Sequence, residues 1–255
     1  MVTSLQVLLG ILVFAVGACM FSFLNVVIYR VPRHMDFITG RSQCPGCGHM
    51  LNALDMIPVL SWLLLRGRCR YCRAAISWRY MAVEILGGAT ALLTVFYQGF
   101  TLRALIMFSF FSVLAAVAFV DWDTMEIPDG FIAAVFIVAV LDLLIQGEFP
   151  WLGNLIGAAA VSIPMFLITL LIPNAFGGGD IKLMAVCGLF LGWKLILVSF
   201  FFSVIGGGIY GAYLLASKKM GRKDHFPFGP FLCAGMFIAA LWGQNLLEWY
   251  LGFFI

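Results

Sequence analysis

Residues 5–28 read LQVLLGILVFAVGACMFSFLNVVI, without a single charge. About 20 helical residues cross a bilayer core, so this run sets the solvent in which the rest of the chain must fold. It is too long for the apolar part of a signal peptide and has no basic segment before it, which predicts a retained helix and not a cleaved leader. The whole chain agrees: of 255 residues, 63% are hydrophobic and 11% are charged, where soluble domains carry about a quarter charged residues. The expected class is an all-α, polytopic membrane protein.

Working outward on the same length scale, apolar runs fall near 4–29, 79–98, 102–120, 130–147, 151–172, 182–193, 195–216 and 229–250. They predict about eight transmembrane helices. The sixth is short, and seven helices with a re-entrant piece is the competing count. Lys and Arg fix the orientation, because cytoplasmic loops collect them. Arg30, Arg33, Arg41, Arg66, Arg68, Arg70, Arg73 and Arg79 surround the first long loop, and Lys218, Lys219, Arg222 and Lys223 crowd the last. Both loops are then cytoplasmic, alternation puts the 121–129 and 173–181 connections on the same side, and both termini lie on the other. A net charge of +3 with such clustering leaves no basis for nucleic-acid binding.

Residues 30–78 form the only soluble segment large enough to fold. So short a segment rarely holds a core without a staple. CPGC at 44–47 and CRYC at 69–72 supply one. Two C-x2-C knuckles can turn Cys44, Cys47, Cys69 and Cys72 toward one tetrahedral point, which predicts a structural Zn2+ site. Two disulfides are the alternative, disfavoured in a reducing cytoplasm. His49 is a spare ligand or a solvated loop residue. Cys19, Cys187 and Cys233 stand singly in apolar runs and read as small buried residues.

The acids are sparse, and two places concentrate them. DWDTMEIPDG at 121–130 follows the apolar run ending AAVAFV, and FGGGDIK at 176–182 sets Asp180 behind three glycines. A charge inside a bilayer costs about 2.5–3.5 kcal/mol on insertion scales, so a carboxylate there points to function. Glycine permits a broken helix and a close approach of another backbone. Asp121 and Asp180, on different helices at matching cytoplasmic depth, suggest a dyad that keeps one shared proton, one carboxylate activating water while the other donates to a carbonyl. Asp123 could take the place of Asp121 if the helix end frays by two positions. Asp142 lies near the outer end of its span, where an interfacial role is expected. Lys182 either holds a substrate or snorkels to the interface.

Beyond this reading, the chain resembles the type IV prepilin peptidases, bifunctional leader peptidases and N-methyltransferases. The resemblance rests on SFLNVVIYRVP at 22–32, CPGCGHML at 44–51, DMIPVLSWLLLRGRCRYCRAAIS at 55–77, DWDTMEIPD at 121–129, GGGDIKLMAVCGLFLGW at 177–193 and PFGPFLCAG at 227–235. It departs at Phe21, where relatives usually have glycine, and at Arg79-Tyr80-Met81, where they often have RYP.

The resemblance implies catalytic Asp121 and Asp180, a GxGD element in which Gly177, Gly178 and Gly179 with Lys182 position substrate, and a division into helix 1–29, a methyltransferase-associated four-cysteine domain 30–78 and a peptidase domain 79–255. It implies cleavage of type IV prepilins or pseudopilins after a glycine at the cytoplasmic face of the bacterial inner membrane, in contact with the lipid bilayer. S-adenosyl-L-methionine then methylates the new amine, although no glycine-rich nucleotide loop is present. A proton-coupled secondary transporter is the alternative from another class, and a scaffold with a zinc docking loop is a third.

Overall fold

A computed structural model describes residues 4–145, 151–173, 175–218 and 226–253. The chain forms two compact units, residues 1–108 and 109–255. Among the described residues all regular elements are helical, apart from two isolated β-bridges.

In the first unit, α1 (Ser4–Arg30) packs along α3 (Trp78–Gln98), with the short α2 (Leu60–Leu64) between them in sequence. Small residues set the approach, as is usual where helices meet in lipid. A Cβ placed on Gly17 would stand 2.5 Å from the Gly87 carbonyl oxygen. Gly87 in turn leaves room for Phe21, which is fully buried and also meets the Phe108 ring at 6.0 Å. The large residue at position 21 is therefore accommodated by a missing side chain on the facing helix. Asn25 Nδ2 donates to the Tyr80 carbonyl at 3.2 Å, satisfying an amide inside an apolar contact.

The second unit contains α5 (Asp129–Ile145), α6 (Trp151–Ala160), α7 (Ser162–Leu171), α8 (Gly178–Ala216) and α9 (Gly229–Leu251), preceded by α4 (Leu102–Thr124), most of which belongs to it. α8 is the hub, packing against α5, α6 and α9. Gly157 and Gly188 face each other so closely that a Cβ on either would overlap the other's backbone. Asn154 Nδ2 closes the same contact by donating to the Leu189 carbonyl at 2.6 Å.

Six helical segments among the described residues are long and apolar enough to cross a membrane. Two of the eight expected spans share one of these segments, and a third corresponds to the shorter α5. The expected spans 182–193 and 195–216 lie in one 39-residue helical run that is broken at Gly192, where φ 75° and ψ 169° suit glycine alone. At 1.5 Å per residue, the pieces before and after the break are roughly 21 and 36 Å long, against a hydrocarbon core of about 30 Å. The expected span 130–147 corresponds to α5, which has 17 residues to Ile145, and its last two positions lie outside the described residues. Lys219, Arg222 and Lys223 lie outside them as well.

Candidate active site and metal centre

α4 runs through an apolar stretch and ends at Thr124, with Met125 in the left-handed region at φ 55°. The last helical turn decides which acid faces inward: Asp121 is 5% exposed, whereas Asp123, Glu126 and Asp129 are all exposed. The two-residue slip that would present Asp123 is not what the helix does. Asp121 Oδ2 accepts a hydrogen bond from the Gly229 backbone N–H at 2.9 Å, at the start of α9.

Asp180 is half-buried in the first turn of α8. It lies within electrostatic range of Asp121, and both carboxylates are within range of the Cys233 thiol on α9. The structure thus leaves the two acids that the sequence singled out within electrostatic reach of each other and of Cys233, which the sequence offered only as packing.

The three glycines before Asp180 differ from one another. A Cβ on Gly177 would meet Asp180 Oδ2 at 3.0 Å, one on Gly178 would meet nothing within 4 Å, and one on Gly179 would meet the Ile127 Cβ at 3.0 Å. Gly179 is therefore where the start of α8 presses on the loop after α4. Phe176 and Phe228 flank the region with ring centroids 6.2 Å apart. Lys182 Nζ donates to Asp129 Oδ1 at 2.8 Å, tying α8 to the start of α5; both side chains are exposed, and such a pair contributes at most about 1 kcal/mol. Asp142, expected at the outer interface, is buried on α5.

The cysteine pairs lie wholly in the first unit. Each knuckle repeats the same hydrogen bonds: Cys44 N–H to the His49 carbonyl at 2.9 Å and Gly48 N–H to the Cys44 carbonyl at 2.8 Å, then Cys69 N–H to the Ala74 carbonyl at 2.9 Å and Arg73 N–H to the Cys69 carbonyl at 3.1 Å. The four sulfurs lie within 4.8 Å of one another. Cys44 Sγ and Cys72 Sγ are 3.8 Å apart, too far for a disulfide and equal to the edge of a tetrahedron with bonds of about 2.3 Å. The donor set therefore fits a four-coordinate metal ion.

Backbone N–H groups of Gly46 and Cys47 lower the Cys44 thiol to about 7. Cys72 is lowered by the Ala74 N–H, but burial and the neighbouring thiols outweigh it and push it up to about 11. His49 stands outside the sulfur cluster, tilted against Tyr71 with ring centroids 3.6 Å apart. Asp55 and Arg70 clamp the segment between the pairs at 2.6 Å.

The Gly229 N–H is the functional group that sequence reading passed over. Its signal was the G-P pair at 229–230 opening a helix, where proline is favoured in the first turn.

The fold and site define a polytopic membrane protein with two neighbouring carboxylates on separate helices and a separate four-thiol module. The comparisons narrow that class. Residues 15–98 match the family described as the bacterial peptidase A24 N-terminal domain, and residues 108–212 match the type IV leader peptidase family. A prepilin leader peptidase/N-methyltransferase of Bacillus subtilis (strain 168) is 33% identical over 247 residues, covering 94% of this chain and 97% of its own. One of Aeromonas salmonicida (strain A449) is 34% identical over 275 residues, covering 94% and 93%, and one of Legionella pneumophila is 30% identical over 283 residues, covering 98% and 96%. The chain belongs to the type IV leader peptidase family. No solved structure gives a significant match. These relatives leave the transporter alternative without support.

Proposed function

We propose that this chain is a prepilin leader peptidase and N-methyltransferase of the bacterial cytoplasmic membrane. It cleaves the basic leader of a type IV prepilin or pseudopilin after a glycine, at the cytoplasmic face, and methylates the newly freed amine. The observation that carries the proposal is the convergence of Asp121 and Asp180 within the unit that matches the leader peptidase family. Both acids sit at ends of helices joined to loops that the basic residues assign to the cytoplasm.

In this reading one carboxylate takes a proton from water as the water attacks the scissile carbonyl, and the other gives a proton to the carbonyl oxygen. Lys182 orients the substrate beside Asp180. Cys44, Cys47, Cys69 and Cys72 hold a structural Zn2+ that staples residues 30–78, the part assigned to methyl transfer, while the dyad belongs to 79–255. S-adenosyl-L-methionine supplies the methyl group. The chain has no glycine-rich nucleotide loop, so that donor is not assigned to particular residues.

The test is mass spectrometry of a prepilin-like peptide incubated with purified protein and S-adenosyl-L-methionine, comparing wild type with Asp121→Asn and Asp180→Asn. Trimming after the glycine by wild type, lost in both variants, supports the dyad, and an added methyl group supports the second activity. A folded wild type that leaves the peptide whole refutes the peptidase reading.

A further inference from the structure

Each aspartate accepts a backbone N–H, Asp180 from Gly177 beside the start of its own helix and Asp121 from a distant helix. Asp121 reaches across from α4 to another helix, where its Oδ2 accepts the Gly229 N–H at 2.9 Å. Asp180 sits in the first turn of its own helix. The contact at Gly229 depends on the absence of a side chain, since a Cβ there would stand 2.7 Å from Asp121 Oδ2 and 3.0 Å from its Cγ. Gly229 is buried at the start of a 23-residue helix, and the next residue, Pro230, has no N–H to offer. The bond is thus a directed donor at the positive end of α9.

The segment that presents this donor is seated on α8. Phe228 packs where a Cβ on Gly207 would come within 2.7 Å of its ring, and Phe226 and Phe231 lie 3.3 Å from Cβ positions on Gly211 and Gly206. Tyr210 completes the seat, 5.8 Å from the Phe226 ring and 5.3 Å from the Phe231 ring. The glycines in the middle of α8 therefore make a socket for aromatic residues on both sides of Gly229.

Resting on the peptidase reading above, we infer that the Gly229 backbone N–H is a positioning donor that holds Asp121 Oδ2 from a distant helix and so leaves Oδ1 to take the proton of the attacking water, while Asp180 donates to the scissile carbonyl oxygen. With Oδ2 engaged by Gly229, Oδ1 of Asp121 takes the water proton as the water oxygen bonds to the carbonyl carbon. Asp180 protonates the carbonyl oxygen in the same step, leaving a gem-diol. Asp121 then passes its proton to the amide nitrogen, the C–N bond breaks, and one gem-diol hydroxyl returns a proton to Asp180. One water is consumed, and both carboxyl groups end as they began.

The experiment measures cleavage of a prepilin-like peptide by full-length protein in detergent, with thermal melting in parallel, for wild type, Gly229→Ala, Gly207→Ala and Gly207→Ala/Phe228→Leu. Gly229→Ala should lower kcat roughly ten- to hundredfold, the scale of a lost charge-assisted hydrogen bond, with KM and melting near wild type. Gly207→Ala should lower kcat by displacing Phe228, and the added Phe228→Leu should restore most of it. A folded Gly229→Ala protein with wild-type kcat overturns the inference. So does a parallel loss of kcat, KM and melting, which is the signature of a packing role. Should Gly229→Ala fail to fold, the Gly207 pair decides: rescue supports the inference and no rescue overturns it. A folded wild type that cuts nothing overturns the peptidase reading and the inference with it, whereas a cutting wild type with an insensitive Gly229 overturns the inference alone.

Discussion

Replacing each glycine of the 177–179 run by alanine separates two explanations for the run, backbone freedom and space. None of the three is among the residues with positive φ, so alanine meets no backbone strain and the neighbours decide. Gly178→Ala points into open space. It should leave kcat/KM within about twofold and raise stability by up to about 1 kcal/mol, as Gly→Ala does at compatible positions.

Gly179→Ala brings its Cβ to 3.0 Å from the Ile127 Cβ. That is tighter than ordinary carbon contact, so something must give by a few tenths of an ångström. The Ile127 Cβ is fixed to its backbone and cannot rotate away, which leaves the first turn of α8, carrying Asp180, to give. A full 1 Å at reacting groups costs about a hundredfold, so a shift of a few tenths should lower kcat/KM by roughly three- to tenfold. Gly177→Ala meets only the Asp180 carboxylate end, also at 3.0 Å, and should fall between the two. Steady-state cleavage of a prepilin-like peptide, with melting curves for each variant, reads the order directly. Equal damage from Gly178→Ala and Gly179→Ala would refute the spatial argument and restore backbone freedom as the reason for the glycines.

Three further outcomes are expected. Arg73 occupies, at φ 62°, the position in the second knuckle that Gly48 occupies at φ 70° in the first. Arg73→Gly removes about 1–2 kcal/mol of left-handed strain against roughly 0.5–1 kcal/mol of added chain entropy cost, so chelator competition should show equal or tighter metal binding, while Gly48→Ala weakens it. Substituting any of Cys44, Cys47, Cys69 or Cys72 by serine should lower bound metal in elemental analysis and reduce methylation more than cleavage, because the sulfurs and the dyad lie in different units; cleavage lost in step with metal would contradict this. The hydrogen bond from Arg70 holds the Asp55 carboxyl below its ordinary value, against burial and with help from the Asn52 N–H. Its contribution is therefore complete above the usual carboxylate range and disappears as pH falls through the lowered value. Wild type should melt above Asp55→Asn near neutral pH and converge with it in acid; a gap independent of pH would count against the bridge.

Apolar runs long enough to cross a bilayer and two C-x2-C pairs are local patterns, so the all-α membrane class and the four-thiol site were legible residue by residue. Asp121 and Asp180 could be singled out because a carboxylate in an apolar run is costly wherever the chain goes. The sequence parted the run between 193 and 195 and the structure breaks it at Gly192, but whether α5 and the short piece before that break cross the bilayer was not legible, because both are shorter than a full span. Nor was the inward choice of Asp121 over Asp123, which depends on how α4 is rotated when it packs. Within 177–179 and within 206–211 the sequence alone does not distinguish one glycine from the next. Tertiary contacts alone gave them separate tasks, since whether a missing Cβ matters depends on what stands opposite: Ile127 for Gly179, Phe228 for Gly207, and Asp121 for the distant Gly229.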